Sequence, residues 1–309
     1  MSEQRRGFWA GLAAYTLWGV FPLYFPLLDP ASATEVLAHR IVWSLLTVVG
    51  LIALRRRWSS LRAVVVDRRR RLLLVAAGVI ITANWGTFIW AVTNDHVVET
   101  SLGYFINPLV LICFGVVLLG ERLRPGQWIG LAVAAAAVVG LSVDYGRPPW
   151  IALVLALSFG TYGLLKKRAA VGAVEGLTVE TAVVAPLALG YVGWLQATGV
   201  GTLASAGLGH LALLAGTGLV TALPLLLFGA AAPRVTLTTL GLLQYMAPVM
   251  QFAIGVLVLD EAMGAGRWVG FGLVWLALLI ITAESLVHGR RVARAARRDP
   301  LADAAQSVC

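Results

Sequence analysis

The chain has 309 residues, of which 59% are hydrophobic and only 13% charged, with a mean hydropathy of +0.85. Soluble domains carry roughly 25% charged residues, so this composition excludes a water-soluble globule and calls for lipid as solvent. The net charge of +9 does not point to nucleic acid. The basic residues cluster between long apolar runs, which is the pattern of membrane orientation and of contact with anionic headgroups.

A membrane-spanning helix needs roughly 20 mainly apolar residues. Taken in order, the apolar runs predict helices at 7–28, 35–54, 72–93, 100–119, 127–144, 149–165, 177–196, 208–230, 236–258 and 267–287. The predicted fold is therefore an all-α integral membrane protein of ten transmembrane helices. Met1 to Arg6 leads directly into the first run, which reads as a retained span. The connections between the second and third spans hold Arg55, Arg56, Arg57, Arg62 and Arg68 to Arg71. Lys166, Lys167 and Arg168, the pair Arg122 and Arg124, Arg234, and the tail from Arg290 to Arg298 fall on the same side, leaving Arg147 and Arg267 opposite. The positive-inside rule then puts both termini in the cytoplasm. Residues 289–309 read as a basic, disordered tail lying on anionic lipid.

An internal match is the most informative feature. Pro108, Glu121, Gly126, Trp128 and Gly130 recur, after a shift of 140 residues, as Pro248, Glu261, Gly266, Trp268 and Gly270. Thr100-Ser101-Leu102-Gly103 resembles Thr238-Thr239-Leu240-Gly241, Thr82-Ala83 resembles Thr221-Ala222, and Trp18-Gly19 resembles Phe159-Gly160. The expected division is two five-helix repeats, 1–146 and 147–288. An odd number of spans per repeat inserts the second half upside down, an arrangement typical of secondary transporters.

Several segments carry a family resemblance: Leu37 to Ser44, Asn84-Trp85, Ser101 to Leu109, Ala156 to Leu164, Thr221 to Leu225 and Leu240 to Tyr245. Over nearly the whole chain, from Trp18 to about Ala283, the sequence resembles the EamA branch of the drug/metabolite transporter (DMT) superfamily, most closely its RarD-type members. The resemblance implies a proton- or gradient-linked exporter of small metabolites or drugs in the cytoplasmic (inner) membrane.

Polar groups inside a span tend to face a cavity or a partner. Glu35 and His39 are four residues apart and can pair, while Arg40 points toward the bundle. The shift of 140 residues sets Arg40 opposite Glu180, Glu35 opposite Glu175 and Asp144 opposite Glu284. His39, Arg40 and Glu180 are therefore candidates for gating or coupling, the alternative being interfacial anchors. Asn84, Trp85, Tyr104, Asn107, Gln244, Tyr245 and Gln251 are candidates to line a solute site. Their amides and rings suit an uncharged or zwitterionic solute, and helix–helix hydrogen bonding is the competing use of such groups. Pro108 and Pro248 break the helical ladder nearby. Glu121 and Glu261 are expected to cap or orient the following helices, which open on Gly126-x-x-x-Gly130 and Gly266-x-x-x-Gly270 packing faces.

No cofactor or metal is expected. His39, His96, His210 and His288 lie on separate elements, and Cys113 and Cys309 make no framework. Gly199 to Ala204 fits G-x-G-x-x-A without a strand before it, Ser158 lacks the first glycine of a nucleophile elbow, and there is no phosphate loop for ATP. The expected partners are a small-molecule solute and membrane lipid, with the chain a monomer or a homodimer. A channel, a non-transporting scaffold and a membrane enzyme acting on lipid-linked substrates are the competing classes.

Overall fold

The computed structural model describes residues 3–119, 123–203, 206–231, 234–235, 239 and 243–298. Arg122, Ala204, Thr238, Leu240, Gly241, Leu242, Cys309 and the expected cap Glu121 lie outside the described residues. Those described are helical and contain no strand. Twelve helices follow in order: α1 (Glu3–Gly19), α2 (Phe21–Tyr24) with a 3-10 turn over Phe25–Leu28, α3 (Ala33–Leu54), α4 (Trp58–Val66), α5 (Arg68–Val92) and α6 (Val97–Leu119). After these come α7 (Pro125–Asp144), α8 (Trp150–Ala169), α9 (Ala173–Thr198), α10 (Gly207–Ala231), α11 (Met246–Leu257) and α12 (Ala265–Arg298).

Seven of these helices are long and apolar enough to cross a membrane, and the number is eight if α1 and the segment Phe21–Leu28, bent by 45°, count as one span. The apolar stretches Trp150–Lys166 and Met246–Leu257 are shorter. The sequence expectation of ten full spans is thus met in part. The bend has a local cause: Pro22 and Pro26 lack the N–H that would continue the ladder, and each opens a new short helix. Helix α4 was not anticipated, because its run of valines is too short to read as a span. Helix α12 continues as far as Arg298, so residues 289–298 are helical rather than the expected disordered tail. Large apolar side chains such as Leu187, Leu279 and Val139 are 79%, 67% and 64% exposed within their helices. Such surfaces require lipid around them.

Helix starts follow ordinary capping. Ser32 Oγ accepts the Glu35 N–H at 3.2 Å to open α3, and Asp67 Oδ1 accepts the Arg70 N–H at 3.0 Å to open α5. Gly199, at φ 72°, closes α9 in the left-handed region.

The chain forms two compact units that do not follow the sequence halves: Met1–Val110 with Trp150–Ala262, and Leu111–Pro149 with Met263–Cys309. In the first, α3 packs on α9 and α10, α5 on α8 and α9, and α1 on α10 and α11. Two glycines allow the closest approaches. A Cβ on Gly78 of α5 would lie 2.7 Å from the Glu180 carbonyl oxygen of α9, and one on Gly218 of α10 would collide with the Trp43 carbonyl of α3.

The second unit is built on the antiparallel pair α7 and α12. Both expected glycine faces meet here. Gly126 faces Glu284 and Gly130 faces Ile281, while Gly266 faces Asp144 and Gly270 faces Leu141. Arg124 pairs with Glu284 at 3.2 Å and Arg267 with Asp144 at 3.5 Å, one ion pair at each end.

Overpacking a tight contact costs roughly 1–3 kcal/mol. Gly218→Ala and Gly78→Ala are expected to lower the thermal unfolding midpoint in detergent. Gly50→Ala, with nothing within 4 Å, should leave it unchanged. Equal midpoints for all three would contradict these contacts.

Candidate functional site

Val36, Arg40, Ser44, Val48 and Ile52 form a buried stripe on α3 at helical spacing. Arg40 is the charged member, 4% exposed. Its Nε donates to Thr221 Oγ1 of α10 at 2.9 Å. Its Cζ lies 4.3 Å from the Trp85 ring centroid and 5.7 Å from those of Phe21 and Phe25. No carboxylate pairs with it among the described residues. The structure thus brings two of the expected residues, Arg40 and Trp85, into direct contact.

A line of rings runs on from this cage. Phe25 meets Phe88 at 5.9 Å, Phe88 meets Tyr104 at 5.9 Å, Tyr104 meets Phe159 at 6.0 Å and Phe159 meets Tyr162 at 6.1 Å between centroids. At its end the Tyr162 hydroxyl donates to Glu180 Oε2 at 3.1 Å, and Lys166 Nζ donates to Oε1 at 2.7 Å. Glu180 is 1% exposed. Arg40 and Glu180 therefore sit in separate clusters with different neighbours, one held by rings and a hydroxyl, the other by an ammonium and a phenol.

One turn beyond Tyr104, the Asn107 side chain is buried and its Oδ1 has no hydrogen-bond partner. Pro108, inside α6, cannot give an N–H to the Tyr104 carbonyl. These acceptors leave a polar spot beside the ring line. Asn84 has another use: its Nδ2 donates to the Leu155 carbonyl at 3.1 Å and to Ser158 Oγ at 2.9 Å, tying α5 to α8. Gln251 donates from Nε2 to the Trp18 carbonyl at 3.1 Å, while its Oε1 is buried without a partner. Gln244 and Tyr245 are half-buried just before α11, flanked by Leu243 and Met246 of a cluster that holds Tyr15, Trp18 and Phe228.

The expected Glu35–His39 pair is not formed. Glu35 Oε1 accepts from the Thr202 N–H at 2.7 Å and from its hydroxyl at 3.0 Å, and Thr202 Oγ1 lies 2.8 Å from His210 Nε2. His39 Nε2 is buried without a partner. The carboxylate is drawn to two donors in the loop after α9, which a single helix face cannot reveal.

Family comparison agrees with a transporter. The model of the EamA-like transporter family matches residues 5–143. Protein RarD of Streptomyces exfoliatus is 56% identical over 291 residues, covering 94% of this chain and 92% of its own length. An uncharacterized transporter of Vibrio cholerae is 41% identical over 293 residues, covering 95% and 97%. The chain belongs to the EamA-like transporter family. It is thereby a multi-pass membrane protein related to transporters rather than to enzymes. A crystal structure with 19% identity superposes at a TM-score of 0.59, over 93% of this chain and 98% of that one, a likeness of fold alone.

The carboxylates that this EamA-type chain buries or half-buries elsewhere hold backbone amides or a cation. Glu261 accepts from the N–H groups of Val97 and Val98, the latter at 2.9 Å, so it caps α6 and not the helix that follows it. Burial pushes the Glu261 carboxyl up from its usual range, against the pull of the two amides. Glu99 takes the Ile151 N–H at 3.1 Å at the start of α8, and Glu175 pairs with Arg57 at 3.2 Å. Phe21, Phe25, Thr221, Tyr162 and Lys166 were missed as candidates. The doubled Phe-Pro at 21–22 and 25–26 is the signal that could have exposed the first two, since rings four apart share a face.

Interhelical hydrogen bonds in membranes average about 0.6 kcal/mol, with a maximum near 1.7. Asn84→Ala is expected to lower the unfolding midpoint in detergent, and Ser158→Ala on top of it to add little. Full additivity of the two losses would argue against a shared bond.

Proposed function

We propose that the chain is a secondary carrier that exports a small solute across the cytoplasmic membrane by alternating access. In this reading ten spans form two inverted five-helix repeats, with both termini in the cytoplasm. The observation that carries it is an exchange of contacts under the shift of 140 residues. That shift turns α1 into α8, α3 into α9, α5 into α10 and α7 into α12. The packing of α5 on α8 then matches that of α10 on α1, and α5 on α9 matches α10 on α3. Gly78 against α9 matches Gly218 against α3, and the pair α7–α12 matches itself, residue for residue: Gly126, Gly130, Leu141 and Asp144 become Gly266, Gly270, Ile281 and Glu284. Two halves with interchangeable contacts can swap conformations and so open one site to each side in turn.

In this reading Arg40, Trp85, Tyr104 and Asn107 face the solute. Glu180, held by Lys166 and Tyr162, is the coupling group: a proton on its carboxyl would release Lys166 and loosen α9 from α8. The arginines from Arg55 to Arg71 rest on anionic headgroups.

The test is counterflow into liposomes holding the purified protein, with a panel of radiolabelled metabolites and drugs, with and without a pH gradient. Saturable counterflow is expected, slowed by Asn107→Ala. Glu180→Gln is expected to keep counterflow and lose the response to the gradient. Uptake that rises linearly with concentration and shows no counterflow would contradict a carrier.

A further inference from the structure

The buried charges of the first unit can be accounted for one at a time. Glu35 is taken up by Thr202, Glu99 by Ile151, Glu175 by Arg57 and Glu180 by Lys166. Arg40 is the exception. It is a fully charged group at 4% exposure whose one protein hydrogen bond, among the described residues, is to a neutral hydroxyl. A guanidinium carries five N–H donors in a fork that matches a carboxylate, and four of them have no acceptor there. A ring face can contribute about 2 kcal/mol or more to a desolvated cation. Burying an ion leaves a penalty of several kcal/mol, so the aromatic cage does not offset the charge.

We infer that Arg40 receives the carboxylate of the transported solute, and that the solute is a monocarboxylate with an apolar or aromatic body. The inference rests on the carrier reading and names its substrate class. One cation with no second beside it among the described residues matches one negative charge, which disfavours a dianion. Phe21, Phe25 and Trp85 make the surroundings of the guanidinium apolar, which favours a ring or alkyl chain on the anion that pairs with it. An ammonium on the same solute would need a free carboxylate, and the buried carboxylates named above are all engaged. The zwitterion allowed by the sequence is therefore a poorer fit than a simple organic anion.

Matched acids and amides test this directly. Thermal unfolding of the full-length protein in detergent is followed with phenylacetate against phenylacetamide, indoleacetate against indoleacetamide, and hexanoate against hexanamide. At least one acid is expected to raise the midpoint where its amide does not. Arg40→Lys, which keeps the charge and loses the fork, should weaken that acid by about tenfold or more, the range of a charge-assisted hydrogen bond, and Arg40→Gln should abolish its effect. Should Arg40→Gln fail to fold, the lysine variant and the acid–amide contrast in the native chain decide. Acids no better than their amides, or an acid effect undiminished in Arg40→Lys or Arg40→Gln, would overturn the inference. Counterflow of a neutral solute alongside that result would leave the carrier standing with a different substrate, whereas no counterflow of any solute would remove the carrier itself.

Discussion

A charge inside a lipid-embedded protein must find an opposite charge, a set of hydrogen bonds, or a ligand, and this constraint organises the first unit. Its buried and half-buried carboxylates do two jobs. Glu35, Glu99 and Glu261 accept backbone N–H groups from a loop and from the first turns of α8 and α6, where helix dipoles favour an anion. Glu175 holds Arg57 from the connection ahead of α4, and Glu180 holds Lys166 of α8. Each joins two separate segments of the chain, so the same groups that solve an electrostatic problem also fix how those segments meet. Against this background the bare guanidinium of Arg40 stands apart. It is placed by the i+4 stripe of α3, oriented by Thr221, and faced by rings that attract it without neutralising it.

Between the charges, packing is governed by small residues. Without a hydrophobic drive between helices in lipid, close backbone approach is the main source of association. The glycines at 78, 218, 126, 130, 266 and 270 mark where that approach occurs. Their spacing links sequence to architecture: a repeated glycine pattern in the chain becomes a repeated contact in space. Aromatic residues fill the wider gaps, and the line from Phe25 to Tyr162 joins the Arg40 cage to the Glu180 cluster.

The features legible in the sequence are those carried by composition, spacing or repetition. Apolar runs revealed the membrane class, the Gly-x-x-x-Gly motifs marked two close-packing faces without saying what they meet, and charged residues in mid-run singled out Arg40 and Glu180. What stayed hidden depends on long-range partners. A helical wheel places Glu35 and His39 on one face, but the donors on Thr202 lie far along the chain and win the carboxylate. Asn84 reads equally well as a ligand or as a packing group until Ser158 is seen beside it. Glu261 sits just ahead of α12 in sequence and caps α6 instead. Helix α4 escaped a search tuned to twenty-residue spans.

The central claim is that one site opens to each face of the membrane in turn, and cysteine accessibility at Asn107 tests it most directly. Asn107→Cys would be made in a chain with Cys113 and Cys309 replaced by serine. It would then be treated with a membrane-impermeant thiol reagent in right-side-out and in inside-out vesicles. Alternating access predicts labelling from both sides, with a transported solute slowing both. Labelling from one side only, whatever solute is present, would contradict the account.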